Sequence, residues 1–194
     1  MATNVERATS TRAKIVTAAR RLFAINGYEG TSTEAVLAES QVSRGALYHH
    51  FANKEALFAA VLEAVEEDIT AETARAGGSA ADPVEALRRA FDSFLAMACE
   101  AEVRQIVLTD AHSVLGWQKW REIEGRYGLG RLKLALQMIA STGRIREDMV
   151  DIYAHILLAS LIEVAFLTAR AADPAVAAGE GRRAMRELLD RLIG

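Results

Sequence analysis

Proline occurs only twice in this 194-residue chain, at positions 83 and 174, and each time it follows an aspartate. Inside a helix, proline removes a backbone donor and clashes with the preceding turn. At the first helical position its missing N–H is not needed, and the preceding aspartate can cap the free donors. Asp82-Pro83 and Asp173-Pro174 therefore read as helix starts, and nothing between them forbids long helices. Ala, Leu, Glu and Arg, which lose little on entering a helix, fill that space. An all-α chain follows.

Hydrophobic residues make up 51% and charged residues 25%, a globular rather than a disordered balance, and the length suffices for one or two packed units. Cys99 is the single cysteine, so no intramolecular disulfide is available. The opening MATNVERATS carries no apolar run of the secretory kind, and a cytoplasmic protein is expected. The most apolar stretch, Ile156 to Ala169, is interrupted by Glu163. It falls short of the ~20 residues of a bilayer span, so a buried helix and no membrane are expected.

Apolar spacing places the helices. Ile15, Ala18, Ala19, Leu22 and Phe23 fall on one face of a helix from about Ser10 to Ile25, ended by Gly27. Thr31 with Glu34 has the spacing of a capping box, predicting a short helix to about Glu39. Ser43 caps a third helix ending near Phe51, and Asn53 caps a long fourth one reaching Arg75. After the AGGSAAD loop, Val84, Leu87, Phe91, Phe94 and Leu95 line the next helix. Further helices are expected at Val103–Val114, Trp117–Tyr127 and Leu129–Ser141, the last closed by Gly143. From Val150 to Ala171 apolar residues occupy nearly every side, so cover is needed on more than one face, some of it from a second chain. A final stripe runs through Met185, Leu188, Leu189, Leu192 and Ile193.

The formal charge of −3 conceals an asymmetry. Residues 1–58 hold seven Lys/Arg against five acids, for +2, and the remainder holds 16 against 21, for −5. A basic head on an acidic body suits a DNA-reading module attached to a larger domain that does not touch DNA.

The second and third helices, joined by a tight turn through Gln41, have the layout of a helix-turn-helix. In SRGALYHHF, Leu47 and Phe51 lie four apart and anchor the third helix inward, leaving Ser43, Arg44, Tyr48 and His49 outward. Gly45 and Ala46 are small enough for close approach. Arg44 offers paired donors for guanine O6 and N7, and the Ser43 and Tyr48 hydroxyls suit phosphate. Lys54 adds positive charge at a helix N-terminus, where free N–H groups already attract phosphate.

The segment TSTEAVLAESQVSRGALYHHFANKEALFAAV resembles the DNA-binding signature of tetracycline-repressor (TetR) family regulators, over roughly Arg12 to Val65. It carries the family's Leu-Tyr-x-x-Phe and Lys-Glu-x-Leu as Leu47, Tyr48, Phe51, Lys54, Glu55 and Leu57. One departure is Gln41, where the family commonly has glycine; a positive φ there stores ~1 kcal/mol. The resemblance implies a DNA-binding domain over 1–55 and a helical ligand-binding and dimerisation domain over 56–194. The implied partners are a palindromic double-stranded DNA operator, a small-molecule effector and a second copy of the chain. The implied DNA contacts are Thr31, Ser32, Thr33, Ser43, Arg44, Gly45, Ala46, Tyr48, His49 and Lys54. Large and adaptable side chains concentrate mid-chain, so the candidate effector contacts are Met97, His112, Trp117, Trp120, Tyr127, Met138 and Glu163.

Other readings carry less. Adjacent His49 and His50 do not face each other on a helix and have no third ligand nearby. Asp110 and His112 with His155 or Glu163 as a metal site are better read as caps and satisfied polar groups. Gly125, Gly128 and Gly130 lack the order and the preceding strand of a phosphate loop, and read as a helix break. Cys99 is a small core residue or a thiol sensor. With no nucleophile in a catalytic context, no enzyme, cofactor or metal is expected. An activator or effector-free regulator shares every feature above with a ligand-released repressor, and a helical enzyme or carrier is the more distant rival.

Overall fold

The computed structural model describes residues 4–78 and 80–193, with no side-chain placement for 4–7 or 174. Ten α-helices account for most of it: α1 (Asn4–Asn26), α2 (Thr33–Ser40), α3 (Arg44–His50), α4 (Lys54–Gly77), α5 (Pro83–Met97), α6 (Ala101–Val103), α7 (Ala111–Arg126), α8 (Gly128–Ser141), α9 (Val150–Arg170) and α10 (Pro174–Ile193). A π-helical stretch, Arg104–Asp110, joins α6 to α7, and a 3-10 turn, Glu147–Met149, leads into α9. No strand occurs among the described residues.

The caps explain many of the boundaries. Asp82 Oδ1 accepts from the Val84 N–H at 3.4 Å, and Asp173 Oδ1 accepts from Ala175 and Val176 at 3.1 Å each. Asn53 Oδ1 accepts from Ala56 at 2.7 Å, and Ser43 Oγ from Ala46 at 3.3 Å. The expected Thr31–Glu34 box does not form. Ser32 caps α2, its Oγ accepting from the Ala35 N–H at 3.1 Å, while the buried Thr31 hydroxyl donates back to the Gly27 carbonyl at 2.8 Å. Helix α1 also begins six residues before the expected Ser10. Asn4 to Thr9 is mostly polar, so it gives no periodic signal, yet it extends a helix already nucleated downstream.

The chain forms two compact units, and the first is discontinuous: Met1–Val65 with Ala101–Trp120. Its core is built from Ile15, Ala19 and Phe23 of α1, Val36 of α2, Leu47 of α3, and Leu57, Phe58 and Val61 of α4, all at most 1% exposed. Phe23 and Tyr28 meet Phe58 edge-on at 5.3 Å each, a geometry that adds to the energy of burial. The later segment is fastened to α1 and its following turn. Arg20 donates from Nε and Nη2 to both Glu102 oxygens at 2.8 and 2.7 Å, and the Tyr28 N–H donates to Asp110 Oδ2 at 2.8 Å. Compactness thus runs past the expected boundary at residue 55, because 101–120 supplies part of the head's cover.

Of the two α-helices expected at 103–114 and 117–127, the second stands as the part of α7 after Gly116, while the first passes through the π-helical stretch. There the Thr109 hydroxyl reaches the Arg104 carbonyl five residues back, at 2.8 Å. The break lies at Gly116 within α7, at φ 70° and ψ 168°, a conformation that side-chain-bearing residues rarely adopt.

The second unit, Glu66–Glu100 with Arg121–Gly194, packs α8 and α10 against both α5 and α9. Leu87 and Phe91, Leu132 and Leu136, Leu157 and Leu161, and Met185 and Leu189 fill it. Gly181 permits the α9–α10 crossing, since a Cβ there would lie 2.5 Å from Val164 Cγ1. The buried face of α9 runs through Ala154, Leu157, Leu158, Leu161, Ala165 and Thr168. Its other face exposes Ile152, Ile156, Ala159, Glu163 and Leu167. Glu147–Arg170, at 24 residues, is long and apolar enough by composition to cross a bilayer, longer than the expected apolar run. It packs as a core helix on α8 and α10.

Candidate nucleic-acid interface

The turn between α2 and α3 is made by Gln41 at φ 55° and ψ 33°, the conformation expected of a position where glycine is the easy choice. Ser43 then starts α3, and Leu47 and Phe51, 1% and 4% exposed, fix which side faces inward. The outward side presents Ser43, Arg44, Gly45, Tyr48 and His49, with Ala46 half-buried beside them. Seven residues give two turns, enough to place these groups along one groove wall of a duplex.

Arg44 is not loose on this surface. Its Nη2 donates to Glu34 Oε1 at 2.7 Å, and the Thr33 hydroxyl donates to Glu34 Oε2 at 3.1 Å. The backbone N–H at Glu34, then Thr33, then Arg44 hold the Glu34 carboxyl below the usual carboxylate range. Lys54 lies with its Nζ 4.0 Å from the Tyr28 ring centre, and the Arg12 guanidinium 5.3 Å from that of Phe51. The second contact sets the Arg12 cation at the C-terminal cap of α3. An open crevice of about 450 Å³ beside its start is lined by Thr11, Lys14, Gln41, Ser43 and Ala46 among others. Lys14 and Glu34 were missed as site residues. Periodicity fixes only which residues of α1 face inward, and no local spacing links residues ten apart across a turn.

Thr31 has to leave the expected contact set, because it is 1% exposed and its hydroxyl is committed to Gly27. Ser32 and Thr33 remain accessible, with their oxygens engaged in the cap and with Glu34.

The candidate effector residues divide. His112, Trp117 and Trp120 come together in the first unit, with ring centres 5.4 to 5.8 Å apart, as a surface cluster in which His112 and Trp117 are exposed and Trp120 half-buried. In the second unit, the Tyr127 hydroxyl donates to Glu67 at 3.2 Å and Met97 is half-buried at the end of α5. Met138, 63% exposed, and Glu163, on the outward face of α9, do not line an interior. The second unit also holds a carboxyl group unnoticed in the sequence. Burial, then the charge of Glu124, pushes Glu66 up to about 7. Glu124 is raised by burial, against the lowering effect of Arg121, whose Nη1 donates to it at 2.5 Å.

The model of tetracyclin-repressor-like C-terminal domains matches residues 84–192, more than half of the chain. This chain belongs to the TetR family. The model of bacterial regulatory proteins of the tetR family matches residues 15–61, which contain α2 and α3. The transcriptional repressor AcnR of Corynebacterium diphtheriae is 30% identical over 161 residues, covering 78% of this chain and 77% of its own. A TetR-family transcriptional regulator from Pectobacterium atrosepticum has a crystal structure that matches with a TM-score of 0.83 at 30% identity, over 99% of this chain and 98% of that one. The crystal structure of RolR with resorcinol shares the fold, with a TM-score of 0.72 at 20% identity over 98% of each chain. As a TetR-family member, the protein is a DNA-binding transcriptional regulator with an N-terminal helix-turn-helix and a C-terminal helical domain.

Proposed function

We propose that the protein is a homodimeric repressor, released from a palindromic operator by a small molecule. The carrying observation is α3, anchored by Leu47 and Phe51, with Arg44 and Tyr48 outward. Arg44, Gly45, Ala46 and His49 meet the major groove, the Ser43 and Tyr48 hydroxyls reach the phosphates at its edge, and Ser32, Thr33 and Lys54 lie along the DNA backbone. Residues 1–55 serve DNA in the cytoplasm, and 56–194 serve dimerisation and sensing. Two such helices in a dimer enter successive grooves about 34 Å apart, hence the palindrome.

The outward apolar face of α9, through Ile152, Ile156, Ala159 and Leu167, supports a second copy as its cover. The His112–Trp117–Trp120 cluster supports an aromatic or amphipathic effector, and RolR holds resorcinol within the same fold. Effector and operator weaken each other reciprocally. The test is selection of duplexes from a random library by the full-length protein, followed by release trials with small aromatics and substrates of neighbouring gene products. A palindrome whose complex dissolves with one compound is expected. Selection of no sequence would refute the DNA reading; a stable operator complex indifferent to every compound would refute effector release.

A further inference from the structure

The Thr33–Glu34–Arg44 chain has no evident structural purpose. Side-chain exposures of 61% for Arg44 and 62% for Glu34 place the pair in water, where such contacts add little to stability. An acid on a surface that meets a polyanion also opposes binding, unless it does something for the cation beside it. We infer that Glu34, braced by Thr33, is a specificity-determining positioning residue, which steers Arg44 toward a guanine edge and away from phosphate. This rests on the reading of α3 as the helix that enters the major groove.

The geometry supports this division of labour. A guanidinium carries five N–H donors, and Glu34 takes one, through Nη2 to Oε1 at 2.7 Å. Enough donors remain for the paired bond to guanine O6 and N7. The other carboxylate oxygen is occupied by the Thr33 hydroxyl at 3.1 Å, so the carboxylate is itself held in orientation. Two effects follow. Arg44 surrenders less side-chain freedom when it meets a base, and a phosphate approaching it meets the Glu34 charge as well. Without Glu34, a long free cation settles on the backbone of any duplex, which raises affinity without sequence information.

The experiment uses the full-length protein and the operator that the wild type selects. Glu34→Gln keeps the size of the side chain and removes its charge, and thermal melting verifies the fold. Glu34→Gln is expected to bind a scrambled duplex about 3–10-fold more tightly, and to lose about 3–10-fold of the guanine preference at one position in each half-site. Its affinity should also fall more steeply with salt, by about one unit of log–log slope. In an Arg44→Ala background, the same substitution should leave base preference unchanged. Undiminished guanine preference in Glu34→Gln overturns the inference, as does an equal loss without Arg44. Wild-type protein that selects no sequence at all overturns instead the DNA reading beneath it.

Discussion

Removing the charge of Glu66 should make the protein more stable, by an amount that depends on pH. Glu66 sits beside Glu124, and burial together with that neighbour carries its pKa from 4.5 up to about 7. In the unfolded chain the carboxyl returns to its ordinary value. Between pH 4.5 and 7 the unfolded chain therefore holds fewer protons than the folded one, and stability falls as pH rises. Below 4.5 the contribution is fully present; above 7 it has gone. The difference between 4.5 and about 7, at ~1.4 kcal/mol per pH unit, corresponds to ~3 kcal/mol. Glu66 keeps partial solvent access, which reduces the expected effect to ~1–3 kcal/mol. Glu66→Gln removes the charge while keeping shape and hydrogen-bonding capacity. Thermal melting of wild type and variant in parallel, from pH 4.5 to 8.5, isolates this group, because the other groups titrate in both. The two should nearly coincide at the acid end and diverge toward pH 7, the variant ending higher in melting temperature by roughly 3–10 °C. A gap of constant size across the range, or a variant less stable at pH 8, would show that Glu66 is ionised comfortably in the fold.

Gln41→Gly should raise stability by ~0.5–1 kcal/mol by relieving the left-handed backbone, whereas Gln41→Val should lower it; equal melting temperatures for the three proteins would contradict the strain. Arg44→Ala should cost ~1–3 kcal/mol at one operator position and Lys54→Ala should weaken every duplex alike, as measured by fluorescence anisotropy on operator variants. Ile156→Asp with Leu167→Asp should yield a folded monomer in sedimentation, and an unchanged dimer mass would place the interface elsewhere. Trp117→Ala should leave operator affinity within about tenfold, or ~1.4 kcal/mol, while blunting effector release; unimpaired release would remove this ring from the sensing site.

What the sequence disclosed follows from how far each signal reaches along the chain. The capped starts at Asp82, Asp173, Ser43 and Asn53 were legible because a cap and its donors lie within three residues of each other. The inward anchors Leu47 and Phe51 were legible from helical spacing. Thr31 was misassigned because two adjacent hydroxyl residues both suit a cap, and only packing decides which one turns inward. The π-helical register of 104–110 leaves no mark in apolar periodicity, since it differs from an α-helix by a single residue per turn. Of the apolar positions read from the last two helices, Leu161, Met185, Leu189 and Ile193 are buried within the chain itself, and only Leu188 and Leu192 of the final stripe keep partial exposure. The unpartnered face of α9 lies instead on the opposite side, through Ile156 and Leu167. The pairings of Glu34 with Arg44, Arg20 with Glu102 and Glu66 with Glu124 are tertiary, and no local pattern announces them.

The discontinuity of the first unit sets the order of events on the ribosome. Residues 1–65 emerge first, but 101–120 belong to the same body, and the chain must grow past 66–100 before they arrive. At ~5–20 residues per second this interval lasts roughly 2–7 s. Throughout it, Arg20 lacks the Glu102 carboxylate and the Tyr28 N–H lacks Asp110, the partners they hold in the finished fold. A nascent or prematurely terminated chain ending before residue 101 therefore carries the whole of α2 and α3 without the body that steadies α1 beneath them. Fragments of that kind should compete poorly for the operator, so aborted translation releases few stray binders of the protein's own target.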